Sequence, residues 1–226
     1  MPEQRAVAIP QSGGTVVHGD LVAPDGASAV VVFAHGSGSS RHSPRNRQVA
    51  TALQGRGLGT LLLDLLTPAE EIADARTGHL RFDVDLLADR LLGAVGWLDQ
   101  QRDWGDLAVG YFGASTGAAA ALLAAARPGE GIGAVVSRGG RPDLAGDALP
   151  RVRAPTLLIV GGDDRVVLGM NQEAYDRLTC ERQLEIVPGA THLFEEPGAL
   201  ERVAELAGGW FARYLASVGA AGRRRS

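Results

Sequence analysis

A single serine stands between two glycines in the segment GASTG, residues 113–117, and its surroundings suit a nucleophile. An apolar run that is typical of a strand ends just before it, and an alanine-rich run that is typical of a helix follows. In such a G-x-S-x-G turn, the nucleophile elbow, a strained backbone projects the serine hydroxyl. The alternative is an ordinary helix N-cap, a position that favours serine. We predict that Ser115 is the nucleophile.

A serine hydroxyl attacks a carbonyl only when a base takes its proton, so a histidine and an orienting acid are also needed. Of the five histidines, His192 follows the last predicted strand and precedes the last predicted helix, in the segment VPGATHLFEEPG. That loop should lie over the sheet edge from which Ser115 projects. The acid should follow the preceding strand, where Asp163 and Asp164 both stand and either could instead begin a helix.

Attack on a carbonyl creates an oxyanion, which two backbone N–H groups must stabilise. The residue after the nucleophile, Thr116, supplies one of them. The glycine-rich segment FAHGSGSS, residues 33–40, follows an early strand, and we expect Ser37 N–H to supply the other. In the same segment, Gly36 leaves the backbone bare and His35 should shape the loop through hydrogen bonds. Both are also candidates for substrate contact.

Short apolar runs alternate with amphipathic segments, and this alternation should position the candidate residues. Two N-terminal segments alternate apolar with polar residues, as in an antiparallel hairpin turned at Gly13 and Gly14. The later runs are typical of strands buried on both faces, and they begin at Ala29, Gly59, Leu107, Ile132, Pro155 and Arg182. The order predicts the α/β class: a mostly parallel sheet, an N-terminal antiparallel hairpin and helices on both faces.

Length and composition favour one domain over residues 1–226, with a core over about 15–217 and a flexible basic tail over 218–226. The net charge of −4 argues against a nucleic-acid surface. One cysteine, Cys180, excludes an internal disulfide and a cysteine-cluster zinc site. No signal peptide or apolar span is visible, so we expect a cytoplasmic protein with no membrane partner. The pattern does not indicate an oligomeric state.

Arginines near the candidate site raise the question of an anionic substrate. Arg41 follows the proposed oxyanion loop, and Arg138 ends the strand beside the nucleophile. Arginine binds carboxylates and phosphates in a bidentate way, so these two could hold an anionic group. The alternative is a set of solvated arginines paired with nearby acids such as Glu70, Glu71 and Asp143. The connection over residues 64–81 is long enough to form a small lid.

Four motifs in this order resemble the α/β-hydrolases, in particular the compact dienelactone hydrolase-like branch with a minimal cap. They are FAHGSGSS (33–40), GASTG (113–117), GGDDRVV (161–167) and GATHLF (189–194), and the resemblance covers about residues 15–217. In this family the acid commonly occurs as G-x-x-D-x-x-V, a pattern that Gly161, Asp164 and Val167 match, so the resemblance favours Asp164. Dienelactone hydrolases use a cysteine nucleophile, whereas this chain has Ser115.

These observations predict a serine hydrolase that cleaves a small carboxylic ester or lactone through an acyl-enzyme, with a triad of Ser115, His192 and Asp164. No cofactor and no metal are required. The same triad could serve a thioesterase, a peptidase or an acyltransferase, because one site supports several acyl chemistries. A different class of alternative is a hydrolase-fold binding module without turnover.

Overall fold

The computed structural model describes residues 3–129 and 131–219, apart from the side chains of residues 216–219. The described residues form an eight-stranded sheet in the order β1-β2-β4-β3-β5-β6-β7-β8. The strands are β1 (Gln4–Pro10), β2 (Val16–Val22), β3 (Ala29–Ala34), β4 (Gly59–Leu63), β5 (Ala108–Ala114), β6 (Ala134–Arg138), β7 (Thr156–Gly161) and β8 (Arg182–Val187). Strand β2 is antiparallel to β1 and β4, and the pairings from β4 to β8 are parallel.

Helices cover both faces of the sheet, because the central strands are apolar on both sides. The helices are α1 (Pro44–Gln54), α2 (Pro68–Thr77), α3 (Val84–Asp99), α4 (Thr116–Ala125), α5 (Arg165–Arg177) and α6 (Ala199–Gly219). One apolar cluster holds residues of α3 and α4, such as Leu91 and Leu122. The other holds residues of α1 and α6, such as Leu53 and Phe211. The predicted α/β class, the N-terminal hairpin and the helices on both faces are confirmed.

Three sequence expectations need correction or limitation. Strand β8 was expected to be buried on both faces, but it is an edge strand and most of its residues are partly or fully exposed. The connection over 64–81 contains helix α2, which the sequence pattern did not indicate. The predicted tail overlaps the end of α6, which reaches Gly219, and residues 220–226 lie outside the described residues.

Candidate active site

The backbone at Ser115 has a conformation that L-residues rarely adopt. Ser115 follows β5 and occupies the N-cap position of α4, with φ 50° and ψ −122°. Its side chain makes no capping hydrogen bond, so its hydroxyl is not used in the way that serine N-caps use theirs. A left-handed φ at a residue other than glycine costs of order 1–3 kcal/mol and tends to occur at functional sites.

Glycines on either side of Ser115 allow the elbow to pack against the sheet. A Cβ atom on Gly113 would lie 2.4 Å from Ala118 Cα. A Cβ on Gly117 would lie 2.3 Å from the carbonyl oxygen of Ala34, at the end of the neighbouring strand β3. Both distances are shorter than real Cβ contacts allow, so side chains at these two places would collide with neighbouring backbone.

Asp164 and His192 meet at the ends of β7 and β8. His192 Nδ1 lies 2.7 Å from Asp164 Oδ2, in a hydrogen bond between partly buried side chains. Asp164 is the N-cap residue of α5, yet its side chain caps nothing. The neighbouring Asp163 has an exposed side chain, and its N–H donates to Ala190 O at 3.0 Å. Of the two aspartates that follow β7, Asp164 therefore faces the histidine.

The end of β6 lies against both Ser115 and His192. The Ser115 N–H donates to Arg138 O at 3.3 Å. A Cβ atom on the next residue, Gly139, would lie 3.6 Å from His192 Nδ1. The hydrogen bonds of the described residues do not include one from the Ser115 hydroxyl to His192, so that step of the triad stays a prediction.

The predicted oxyanion loop passes directly beside Ser115. A Cβ atom on Gly36 would lie 3.0 Å from Ser115 Cβ, so a side chain there would require its neighbours to shift by a few tenths of an ångström. Among the described residues, the N–H groups of Ser37 and Thr116 donate to no other protein group. Thr116 is the first residue of α4, where the helix dipole favours negative charge.

His35 uses both ring nitrogens to hold this loop. Its Nδ1 donates to Gly36 O at 2.9 Å, and its Nε2 accepts the N–H of Leu65 at 3.1 Å. Burial lowers the pKa of His35, although the hydrogen bond to Gly36 O and the charge of Asp64 act in the opposite direction. The neutral ring that results connects the loop after β3 to the segment after β4, in keeping with the expected loop-shaping role.

A cavity of about 510 Å³ adjoins these groups. One wall is the loop over residues 36–40, and Thr116 lies beside it. A second wall comes from the segment after β4 and from α3, and includes Leu65, Leu66, Glu71, Asp74, Arg81 and Leu87. Most of this second wall belongs to the 64–81 connection, which the sequence showed to be long enough for a small lid, without naming residues in it that line a cavity.

Most arginines near the candidate site form ion pairs with carboxylates, as the alternative interpretation of them describes. Arg41 Nη1 contacts Asp64 Oδ2, and Arg41 Nε lies 3.5 Å from Asp20 Oδ1. Asp64 was not among the acids named from the sequence. Arg141 pairs at 2.8 Å with Asp143, one of the acids named from the sequence. Arg41 does not line the cavity, so its predicted contact with substrate gains no support.

Arg138 lies deeper than the sequence indicated. Its Nη2 donates to Asn46 Oδ1 at 3.2 Å, and its guanidinium carbon lies 5.8 Å from the centre of the Phe194 ring. No carboxylate pairs with it among the described residues. Burial, together with the charge of Arg45, lowers the pKa of Arg138 to about 10. Phe194, against which this buried cation packs, lies two residues after His192 and has a strained φ of 57°.

Within residues 3–129 and 131–219, no group of three or more histidine, cysteine, aspartate or glutamate side chains could hold a metal ion. The helices of that same part of the chain include none long and apolar enough to cross a membrane.

The sequence model of the dienelactone hydrolase family matches residues 17–217. The chain belongs to the dienelactone hydrolase family. A crystal structure of a dienelactone hydrolase from Anabaena variabilis is similar, with 59% sequence identity and a TM-score of 0.92. The match covers 95% of this chain and 99% of that one. An esterase from Pyrococcus furiosus has a TM-score of 0.74 at 19% identity over 95% of this chain and 94% of its own, a likeness of fold alone.

Two Mycobacterium tuberculosis proteins, from strains CDC 1551 and H37Rv, are 59% identical to this chain over 211 residues. Each bears the name "Putative phosphoribosyl transferase". The match covers 93% of this chain but only 47% of each relative. The chain thus spans about half the length of these curated relatives.

Proposed function

We propose that this hydrolase cleaves a small carboxylic ester or lactone, with Ser115 as nucleophile, His192 as general base and Asp164 as the acid that orients it. One observation carries the proposal: Ser115 holds a strained N-cap position without capping the helix. A serine kept for its place at a helix start would use its hydroxyl there. The hydrogen bond between Asp164 and His192 supports the same assignment.

In the proposed reaction, Ser115 Oγ forms a bond to the carbonyl carbon of the ester while His192 Nε2 takes the hydroxyl proton. The tetrahedral intermediate then expels the alcohol oxygen, which receives that proton from His192. Water attacks the acyl-enzyme, again losing its proton to His192, and the acid product leaves as Ser115 regains its hydrogen. Asp164 accepts the hydrogen bond from Nδ1–H and stabilises the charged imidazole in both halves.

The N–H groups of Ser37 and Thr116 are the proposed oxyanion donors. Their lack of other partners among the described residues leaves them available for a ligand atom. They also line the same cavity, which is where the carbonyl group would have to lie. Each well-placed donor of this kind contributes on the order of a hundredfold or more to the rate.

Thioesterase, peptidase and acyltransferase activity remain alternatives, because they need the same nucleophile and the same oxyanion donors. More than half of each relative that is named a phosphoribosyl transferase lies outside the match, so we do not carry that activity to this chain. The non-catalytic alternative predicts that Ser115 is unreactive, which a chemical probe can test.

The decisive experiment is covalent labelling with a fluorophosphonate, which reacts with an activated serine, followed by mass spectrometry. We expect one adduct per chain, on Ser115, and none in Ser115→Ala or His192→Ala. Ser39→Ala removes another hydroxyl from the cavity wall and should still be labelled. A folded protein without an adduct would contradict the proposal and favour the binding module.

The two adjacent aspartates provide a matched control for the acid. Asp164→Asn should lower both the labelling rate and ester turnover, on the order of a thousandfold, because the imidazole loses its orienting carboxylate. Asp163→Asn makes the same change in charge one residue away, on an exposed side chain, and should have little effect. Equal losses in the two variants would contradict the role given to Asp164.

A further inference from the structure

The charges of the residues that line the cavity do not sum to zero. The charged residues are Glu71, Asp74 and Arg81. Asp74 and Arg81 neutralise each other, since Arg81 Nε lies 2.5 Å from Asp74 Oδ2. The Glu71 N–H donates to Thr67 O within the helix, but no hydrogen bond or ion pair of the described residues includes the Glu71 carboxylate. One negative charge therefore faces the cavity without an ion-pair partner.

The arginines that surround this wall are already paired. Arg41 contacts Asp64, and Arg47 lies 2.9 Å from Asp20. On the other side of α2, Arg90 Nη2 lies 2.6 Å from the carboxylate of Glu70. Among the described residues, each arginine along this wall therefore has a carboxylate partner. The balance of charge here favours a positively charged ligand.

The rest of the wall strengthens the influence of Glu71. Leu65, Leu66 and Leu87 supply buried apolar surface, where charges are screened less than in water. Partial burial raises the pKa of Glu71, the charge of Asp64 raises it further, and Arg41 opposes both. A cation bound beside the carboxylate would relieve this cost.

We propose that Glu71 selects substrates by charge: the cavity favours esters whose acyl chain carries an ammonium group, accepts neutral esters and disfavours carboxylates. This inference rests on the proposed function, because Ser37 and Thr116, the proposed oxyanion donors, line the same cavity. Glu71 is itself exposed, and an attraction between opposite unit charges at such a site changes kcat/KM by about tenfold at most.

Three p-nitrophenyl esters of equal chain length test the inference. One ends in a trimethylammonium group, the second in the isosteric tert-butyl group and the third in a carboxylate. For the unaltered protein we expect kcat/KM to be about tenfold higher for the ammonium ester than for its neutral isostere, and about tenfold lower for the carboxylate. Both ratios should move towards one in Glu71→Gln, and both should shrink with added salt.

Glu173→Gln is the matched control, because it removes the same charge from an exposed position on α5 and should leave both ratios unchanged. Ratios within twofold of one in the unaltered protein, or ratios that persist in Glu71→Gln, would overturn the charge selection while hydrolysis of the neutral ester upheld the proposed function. Failure of all three esters, with no fluorophosphonate adduct, would overturn the proposed function and this inference with it.

Discussion

At the scale of single residues, the candidate site depends on glycines, whose lack of a side chain lets backbone segments approach closely. The backbone beside Ser115 lies so close to its neighbours that Gly36, Gly113 and Gly117 have almost no room for a methyl group. These contacts hold Ser115 in its left-handed conformation and hold the loop with Ser37 against it. The strain at one residue is thus supported by close backbone packing around it.

Gly117 gives a direct test of this packing. We expect Gly117→Ala to lower the free energy of unfolding by about 3 kcal/mol or more, because the new methyl group would overlap the carbonyl oxygens of Ala34 and His35. Fluorophosphonate labelling should fall as well, since the loop that follows β3 must move. Chemical unfolding and the labelling rate measure the two effects.

Gly96, on α3, is the matched control for that substitution. A Cβ atom there meets nothing within 4 Å, so Gly96→Ala should raise the free energy of unfolding by about 0.5–1 kcal/mol through better helix propensity. Similar effects of the two substitutions would contradict the account of a close backbone contact at Gly117.

The two aspartates after β7 show what residue types alone leave undecided. Asp163 and Asp164 follow the same strand, and either carboxylate suits a helix start. A step of one residue turns the side chain by a large angle, and only the coordinates show that Asp164 turns towards His192. The resemblance to the family favoured the same residue, whereas residue spacing left both open.

At the scale of elements, helix α2 could not be recognised from hydrophobic periodicity, which is the strongest sequence signal for a helix. Its ten residues contain one large apolar side chain, Ile72, which is exposed, and the only buried residue of the helix is Asp74. A helix without an apolar face shows no hydrophobic periodicity. A weaker signal was present, because Thr67 and Glu70 form a capping box around Pro68.

What holds α2 in place is a set of polar contacts. The Asp74 carboxylate accepts hydrogen bonds from the N–H groups of Leu80 and Arg81 and from the Arg81 side chain. Glu70 joins the same helix to Arg90 on α3. This anchoring holds the cavity wall that carries Glu71, within the segment that the sequence showed to be long enough for a lid.

Burial alone would raise the pKa of Asp74, but the hydrogen bonds from Arg81 and Leu80 hold it below the ordinary 3.8. The stabilisation from this carboxylate is therefore present above pH 3.8 and is lost as the pH falls through the lower folded-state value. Asp74→Asn should imitate that loss at neutral pH. We expect lower hydrogen-exchange protection over residues 68–82 and faster trypsin cleavage after Arg76.

Asp89→Asn, on the exposed side of α3, removes the same charge and should change neither protection nor cleavage in α2. Acid should lower the protection of α2 in the unaltered protein and have a smaller effect in Asp74→Asn. Full protection of α2 in Asp74→Asn at neutral pH would contradict the tethering role.

At the scale of the whole molecule, the sheet and its helices could be predicted because both faces of the central strands are apolar. Five consecutive runs from β3 to β7 are buried throughout, and such runs indicate a sheet with helices on both sides. The cavity could not be predicted, because its walls come from segments far apart in sequence. The burial of Arg138 beneath Phe194 was equally hidden, since a chain position does not reveal depth.

The two apolar clusters lie on opposite faces of one sheet and share the five strands from β3 to β7. A shared strand cannot unfold from one cluster and stay packed against the other. We therefore expect the chain to unfold in a single cooperative transition. Phe211→Ala on α6 and Leu91→Ala on α3 should each lower the free energy of that transition, by about 3–5 and 2–5 kcal/mol. The slope of the free energy of unfolding against urea concentration should stay the same.

Ile72→Ala, at an apolar residue with 68% exposure, should change the free energy of unfolding by no more than about 0.5 kcal/mol. Separate transitions, with each core substitution shifting a different one, would show that the two faces fold independently.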